Sequence, residues 1–192
     1  MTQIKQTLLC GYGGQGIVLA GTILGKAAFK DGKWVSGTNS YGAAARGGAC
    51  RAEVVISDQP IAFPYLLEAD VLIAMYQSAY DKYISQVKTG AGIVIYDDGF
   101  VSPGETAGLG HVPVPATRMA IKELGNEMVA NIIMLGAAVT ITGLVTEEAL
   151  KAVVAETVSE KFRELDLKAV DTGLELGRAK SPEIHRVYKE RR

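Results

Sequence analysis

The chain is poor in the residues from which most catalytic and metal sites are built. Its 192 residues include two cysteines, Cys10 and Cys50, and two histidines, His111 and His185. The cysteines lie far apart without CxxC spacing, which excludes a self-contained four-cysteine iron–sulfur or zinc site and a disulfide framework. Two histidines argue against a His-rich catalytic metal site, so no catalytic or metal-binding residue is assigned. An excess of charge of one sign is lacking too. Twenty basic against 21 acidic residues leave a net charge of −1, removing the simplest case for a nucleic-acid binder or a polybasic membrane-surface protein. The first residues lack the charged region, long apolar core and small-residue cleavage site of a signal peptide, so a cytoplasmic location with reduced cysteines is expected.

Long hydrophobic runs are nearly absent. Met128 to Thr146 carries no charge over 19 residues, just enough for a membrane-span candidate. Asn131, Gly136, Thr140, Thr142 and Gly143 dilute it, and no Trp or Tyr anchors its ends. Gly143 is read as the end of the helix and Thr146-Glu147-Glu148 as the cap of the next one. The remaining stretch, about 24 Å long at 1.5 Å per residue, falls short of a roughly 30 Å hydrocarbon core. A buried core or subunit-interface helix is the reading, with no membrane span.

What is present is an apolar fraction of 48%, enough for a normal core, and 22 glycines. Average usage gives about 13. Eleven of the 22 fall in the first 48 residues.

Periodicity predicts a strand over Ile4 to Cys10, a glycine turn over Gly11 to Gly16 and a helix over Ile17 to Phe29. Asp31-Gly32 reads as a turn, Trp34-Val35 as a short strand and Thr38 to Gly48 as a loop. Arg51 to Ser57 alternates Ala52, Val54 and Ile56 against Glu53, Val55 and Ser57, a strand with two unlike faces. Val71 to Tyr76 and Ile93 to Tyr96 are apolar runs of strand length around a helix over Tyr80 to Val87. Such alternation predicts a parallel sheet of strand–helix–strand units. After an extended Pro113-x-Pro115 segment, helices are predicted over Thr117 to Leu124, Asn126 to Thr142, Thr146 to Val158 and from Ser159 onward. The expected fold class is α/β: a Rossmann-like, mostly parallel sheet flanked by helices, with a helical C-terminal third from about residue 116, in one domain over 1–192.

Gly11-Tyr12-Gly13-Gly14-Gln15-Gly16 matches G-x-G-x-x-G after a strand and at the opening of a helix. Glycines there permit a tight turn and a close backbone approach, and the helix N-terminus offers free N–H groups to an anion. A dinucleotide fingerprint also wants an acid about 20 residues on, at the end of the second strand. Here that region reads Trp34-Val35-Ser36-Gly37-Thr38, and the nearest acid, Asp31, precedes it. A P-loop is excluded because Gln15-Gly16-Ile17 replaces Gly-Lys-Ser/Thr. Nucleotide or phosphate binding and a ligand-free helix–strand turn both stay open at this point.

The second cluster runs Thr38-Asn39-Ser40-Tyr41-Gly42-Ala43-Ala44-Ala45-Arg46-Gly47-Gly48-Ala49-Cys50-Arg51. An arginine flanked by glycines has room to present its planar fork to a phosphate or carboxylate. A solvated arginine in a flexible loop is the plain alternative.

Together the two clusters resemble the gamma subunit of the 2-oxoacid:ferredoxin oxidoreductases. That family carries a Gly-x-Gly-Gly-Gln-Gly turn and, later, a Ser-Tyr-Gly-Pro-Glu-x-Arg-Gly-Gly segment, matched here by Gly11 to Gly16 and Ser40 to Gly48. Asn131-Ile132-Ile133-Met134-Leu135-Gly136 resembles its Asn-x-x-x-Leu-Gly helix, and Pro113 to Thr117 the entry to the preceding one. Ala43 and Ala44 depart from the family's Pro and Glu, which frees the backbone and removes a charge partner for Arg46. No role of that glutamate is carried over.

The resemblance implies a subunit of an enzyme that cleaves a 2-oxoacid oxidatively with coenzyme A and reduces ferredoxin. It implies thiamine diphosphate, Mg2+ and 4Fe–4S clusters on companion alpha, beta and delta-type subunits, with none of them held by this chain. The run Gly47 to Val54 looks most like the 2-oxoglutarate branch, with branched-chain, aryl and pyruvate enzymes close behind. The implied coenzyme A contacts are Gly11, Gly13, Gly14, Gln15, Gly16, Ser40, Tyr41, Gly42, Arg46, Gly47 and Gly48. Two further readings stand beside this one: a pure scaffold in which Arg46 meets a partner carboxylate, and a free-standing nucleotide-binding oxidoreductase domain.

Overall fold

A computed structural model of the chain describes residues 4–40, 48–104 and 108–189, with side chains as far as Lys180. Six strands form one sheet: β1 (Ile4–Tyr12), β2 (Trp34–Ser40), β3 (Ala49–Ser57), β4 (Val71–Ala74), β5 (Ile93–Asp97) and β6 (Gly110–Val114). Helix α1 (Ile17–Lys30) joins β1 to β2, and α2 (Gln77–Tyr83), extended by a 3-10 turn over Ile84–Gln86, joins β4 to β5. The C-terminal region is helical as expected, with α3 (Ala116–Leu124), a 3-10 turn over Glu127–Val129, α4 (Ala130–Thr142), α5 (Glu147–Thr157) and α6 (Glu160–Lys189).

The strand order is β2-β3-β1-β4-β5-β6. Pairings β1–β4, β4–β5 and β5–β6 are parallel, whereas β3 is antiparallel to both β1 and β2. The α/β expectation of a mostly parallel sheet holds, since β3 alone runs against the other five, but the sheet is mixed. In a simple Rossmann unit the strand after α1 would lie beside β1. Here β3 fills that place, aligned with β1 from Ile4↔Ser57 to Tyr12↔Ala49 and with β2 from Trp34↔Ser57 to Ser40↔Arg51. Antiparallel neighbours need only a short connection, so β2 and β3 form a hairpin that slides in as a unit.

That pairing also corrects the loop boundaries. Thr38, Asn39 and Ser40 belong to β2, because pairing with β3 satisfies their backbone groups despite a polar sequence. The extended Pro113 segment is strand β6, at the sheet edge, where a missing proline N–H is tolerated.

Side chains alternate across the sheet into two cores. On one face Leu9, Ile73, Ile95, Ala52, Val54 and Ile56 pack with residues of α1, α3, α4, α5 and α6. On the other, Leu8, Cys10, Leu72, Ala74 and Val94 meet Ala79, Tyr80 and Tyr83 of α2, with Val87 and Val101. The uncharged run is α4, whose residues from Ala130 to Val139 are all buried in this chain's own core. Of the two readings offered for it, core helix is the observed one. Among the described residues no helix is long and apolar enough to cross a membrane.

Candidate functional site

The glycine motif is the turn between β1 and α1. Gln15 N donates to Tyr12 O at 3.1 Å, and Gly14 and Gly16 take φ values of 116° and 70° that favour glycine. Gly16 caps α1 with no side-chain acceptor of its own. The Gln15 amide locks the turn from within. Its Oε1 accepts from Tyr12 N at 2.7 Å, and its Nε2 donates to Met75 O at 3.0 Å, just beyond β4. Buried Asn131, at the start of α4, donates from Nδ2 to Gly16 O at 3.1 Å and accepts from Ile132 N on Oδ1. The turn is thereby held against β4 on one side and α4 on the other.

This arrangement sits where the connections diverge. From β1 the chain crosses by α1 toward the β2 edge, and from β4 it crosses by α2 toward the β6 edge, on the opposite face. In open α/β sheets that divergence leaves a crevice at the carboxyl ends of the strands. A cleft of about 280 Å³ opens there. Gly13, Gly14 and Gln15 floor it after β1, Met75 and Tyr76 after β4, and Phe100 after β5. Thr117, at the start of α3, and Glu127, Met128 and Ala130, before and at the start of α4, line it as well. Tyr12, Tyr76 and Phe100 form a row of rings, with centroids 5.4 Å and 6.0 Å apart in successive pairs. Beneath them Asp97 is fully buried. It accepts from Gly99 N on Oδ1 and from both Thr117 N and Thr117 Oγ1 on Oδ2, tying the end of β5 to the first turn of α3.

Of the sequence-predicted contacts, Gly13, Gly14 and Gln15 line the cleft, whereas Gly11 and Gly16 shape the turn behind it. Ser40 ends β2 opposite Arg51, and Gly48 immediately precedes β3. Tyr41, Gly42, Arg46 and Gly47 lie outside the described residues. Below Ser40 the hairpin carries a polar cluster: Glu53, nearly buried, accepts from Thr38 Oγ1 at 2.6 Å and pairs with Arg51 at 3.1 Å. The Arg51 guanidinium in turn lies 5.4 Å from the centre of the Tyr83 ring.

Sequence reasoning missed Tyr76, Phe100, Met128 and Glu127. The available signal was position: Tyr76 and Phe100 come two and three residues after the ends of β4 and β5, where an α/β sheet places its ligand-facing loops.

Asp31, the acid nearest to a dinucleotide pattern, is used elsewhere. Its carboxylate accepts from Thr146 N at 2.7 Å and from Thr146 Oγ1 at 2.6 Å, fastening the start of α5 to the end of α1. Cys10 and Cys50 belong to cores on opposite faces of the sheet, and burial pushes both thiols up, so they do not fit a shared cluster. Among the described residues no three potential ligands converge on a metal site. Burial lowers the His111 pKa, and its Nε2 lies 3.2 Å from Tyr80 Oη.

Comparison with known proteins agrees with this geometry. A family model described as pyruvate ferredoxin/flavodoxin oxidoreductase matches residues 6–176. The 2-oxoglutarate synthase subunit KorC of Methanocaldococcus jannaschii is 42% identical over 177 residues, covering 91% of this chain and 94% of that protein. The crystal structure of the keto/oxoacid ferredoxin oxidoreductase gamma subunit from Geobacter sulfurreducens superposes with a TM-score of 0.83 at 37% identity, over 92% of this chain and 98% of that one. A 2-oxoglutarate:ferredoxin oxidoreductase from Magnetococcus marinus, with 2-oxoglutarate, coenzyme A and succinyl-CoA bound, gives a TM-score of 0.84 at 26% identity, over 92% of this chain and 31% of that longer one. The chain belongs to the pyruvate ferredoxin/flavodoxin oxidoreductase family and has the fold of its gamma subunit.

Proposed function

We propose that this chain is the non-catalytic gamma subunit of a 2-oxoglutarate:ferredoxin oxidoreductase and that it binds coenzyme A. The whole enzyme converts 2-oxoglutarate, coenzyme A and oxidised ferredoxin into succinyl-CoA, carbon dioxide and reduced ferredoxin. The observation that carries the reading is the glycine turn opening onto a cleft at the carboxyl ends of β1, β4 and β5. Backbone N–H groups at the start of α1 and a glycine-flanked Arg46 are receptors suited to the coenzyme's phosphates. Thiamine diphosphate, Mg2+ and the 4Fe–4S clusters belong on companion alpha, beta and delta-type subunits, and ferredoxin is the acceptor for the complex. The 2-oxoglutarate assignment is supported by the identity to the KorC relative. The absence of a carboxylate at the end of β2 among the described residues disfavours a free-standing dinucleotide-binding domain.

A pure scaffold is the second reading, favoured by exposed Trp34, Phe63, Tyr65 and Leu67, which suit contact with another subunit. Arg46→Ala in the assembled complex separates the two. If this chain binds coenzyme A, the apparent KM for coenzyme A rises about tenfold while that for 2-oxoglutarate stays the same, as removal of a charge-assisted phosphate contact requires. If Arg46 only holds a partner carboxylate, KM is unchanged and the complex dissociates on gel filtration.

A further inference from the structure

We infer that β2 is an interface strand, whose free edge pairs antiparallel with β2 of a second copy of this chain across a twofold axis at Gly37. This goes beyond the coenzyme A reading and does not depend on it. β2 lies at one end of the strand order and has a neighbour, β3, on one side only. In an antiparallel ladder every second residue of such a strand turns its N–H and C=O outward. Among the described residues no other backbone pairs with that edge. Exposed edges are normally blunted by lysine, proline, a bulge or a very short strand. The opposite edge follows that rule, since β6 carries Pro113. β2 does not. It is seven residues long, Trp34–Ser40 contains neither a charged residue nor a proline, and its register runs from Trp34↔Ser57 to Ser40↔Arg51 without a bulge.

The strand is also complementary to a copy of itself. With Gly37 on the axis, Ser36 faces Thr38 of the second copy and Val35 faces its Asn39. Serine–threonine pairs stabilise neighbouring strands, and no like charges are brought together. Apolar surface flanks the same edge. Ser36 Oγ donates to Pro64 O at 2.7 Å, which fastens the connection between β3 and β4 over β2, and there Phe63 and Tyr65 pack edge to face with centroids 5.5 Å apart. Trp34, two residues before Ser36, lies on the same face of the sheet. Its neighbour Lys33 is paired with Asp58, so its charge is offset. Trp34, Phe63 and Tyr65 are 54%, 52% and 58% exposed. Together they offer roughly 300 Å² for a partner to cover, more than a third of the about 800 Å² per partner of a stable interface. The paired strand edge adds to that area. The contact is isologous, so it closes at two copies.

The test is disulfide trapping in the native assembly of the full-length chain, under a mild oxidant. Cys10 and Cys50 are buried and contribute no background. A Cβ on Gly37 meets only Glu53 O, at 3.6 Å, so Gly37→Cys leaves the strand intact. On the axis the two Cα atoms stand about 4.5–5.5 Å apart, within reach of a disulfide. Gly37→Cys is therefore expected to run at twice the chain mass of 20.4 kDa on a non-reducing gel. Asn39→Cys, exposed on the same strand, is expected to stay monomeric on that gel, because its two copies lie about 14 Å apart at about 3.4 Å per residue. Co-expressed Val35→Cys and Asn39→Cys chains should link to each other, which checks the register without altering Gly37. Gly37→Cys that stays monomeric, or links no more than Asn39→Cys, overturns the pairing. Linkage of Gly37→Cys to a different polypeptide gives the edge to a companion strand and overturns it as well. So does a native mass showing one copy of this chain per assembly.

Discussion

At Gly16 the backbone takes φ 70°, and a Cβ there would stand 2.3 Å from Asn131 Nδ2. Gly16→Ala therefore carries two penalties. The left-handed conformation costs about 1–2 kcal/mol for a residue with a Cβ, and displacing the buried amide costs about 1–3 kcal/mol. Asn131→Ala forfeits only the second. Because the two residues share one contact, their effects are not additive. Urea denaturation of both single variants and the double variant checks this, and the double should be less destabilised than the sum. The turn itself was legible because its glycines and its position between a strand and a helix are local features. The partners of Gln15 and Asn131 were not. Met75 is 60 residues from Gln15, and Asn131 is 115 residues from Gly16, distances that only tertiary packing closes.

Among the elements, those with clear hydrophobic periods are legible in the sequence, although the helix expected over Tyr80 to Val87 is α2 at Gln77–Tyr83 with its 3-10 turn and the strand expected over Val71 to Tyr76 ends at Ala74. β4 and β5 are apolar runs buried on both faces, and α4 is an uncharged helix that stops before Gly143. The end of β2 and the whole of β6 lack such a pattern, and each exists because a neighbouring strand supplies its hydrogen bonds. The contact between α4 and α6 is a second example. Gly136 and Gly173 let the two backbones touch, and a Cβ on Gly173 would lie 2.2 Å from Ile133 O. Ala is the better helix former by about 1 kcal/mol, yet Gly173→Ala is expected to destabilise by about 1–3 kcal/mol through overpacking. Gly25→Ala in α1 is the control. Its Cβ would make ordinary contacts, the nearest 3.5 Å from Val35 Cγ1, so that variant should be neutral or slightly stabilised. Thermal unfolding of the pair gives the comparison.

For the molecule as a whole, the sheet is shared by two cores, and β1, β4 and β5 contribute alternate residues to each. That sharing predicts that the two sides unfold together as one domain. Leu72→Ala, in the core under α2, and Leu135→Ala, in the core under α4, each remove a fully buried side chain. Each should cost about 2–5 kcal/mol. Each should also shift one transition, seen at the same temperature by circular dichroism and by calorimetry. Two separated transitions in either variant would rule out a single domain. The cleft is likewise a property of the whole, because its lining comes from the ends of three strands and the starts of two C-terminal helices.

By itself the sequence determined the α/β class, the glycine turn and the helical C-terminal third, because each follows from local periodicity or from a backbone need of neighbouring residues. Its scarcity of cysteine and histidine also limited what one chain could hold. The tertiary structure decided which strand lies beside β1 and where the Gln15 and Asn131 amides are used. It also decided that, among the described residues, three aromatic rings and a carboxylate meet at the cleft. Those features depend on residues far apart in the chain meeting at the carboxyl ends of the strands, and nothing in the local pattern specifies which of them meet.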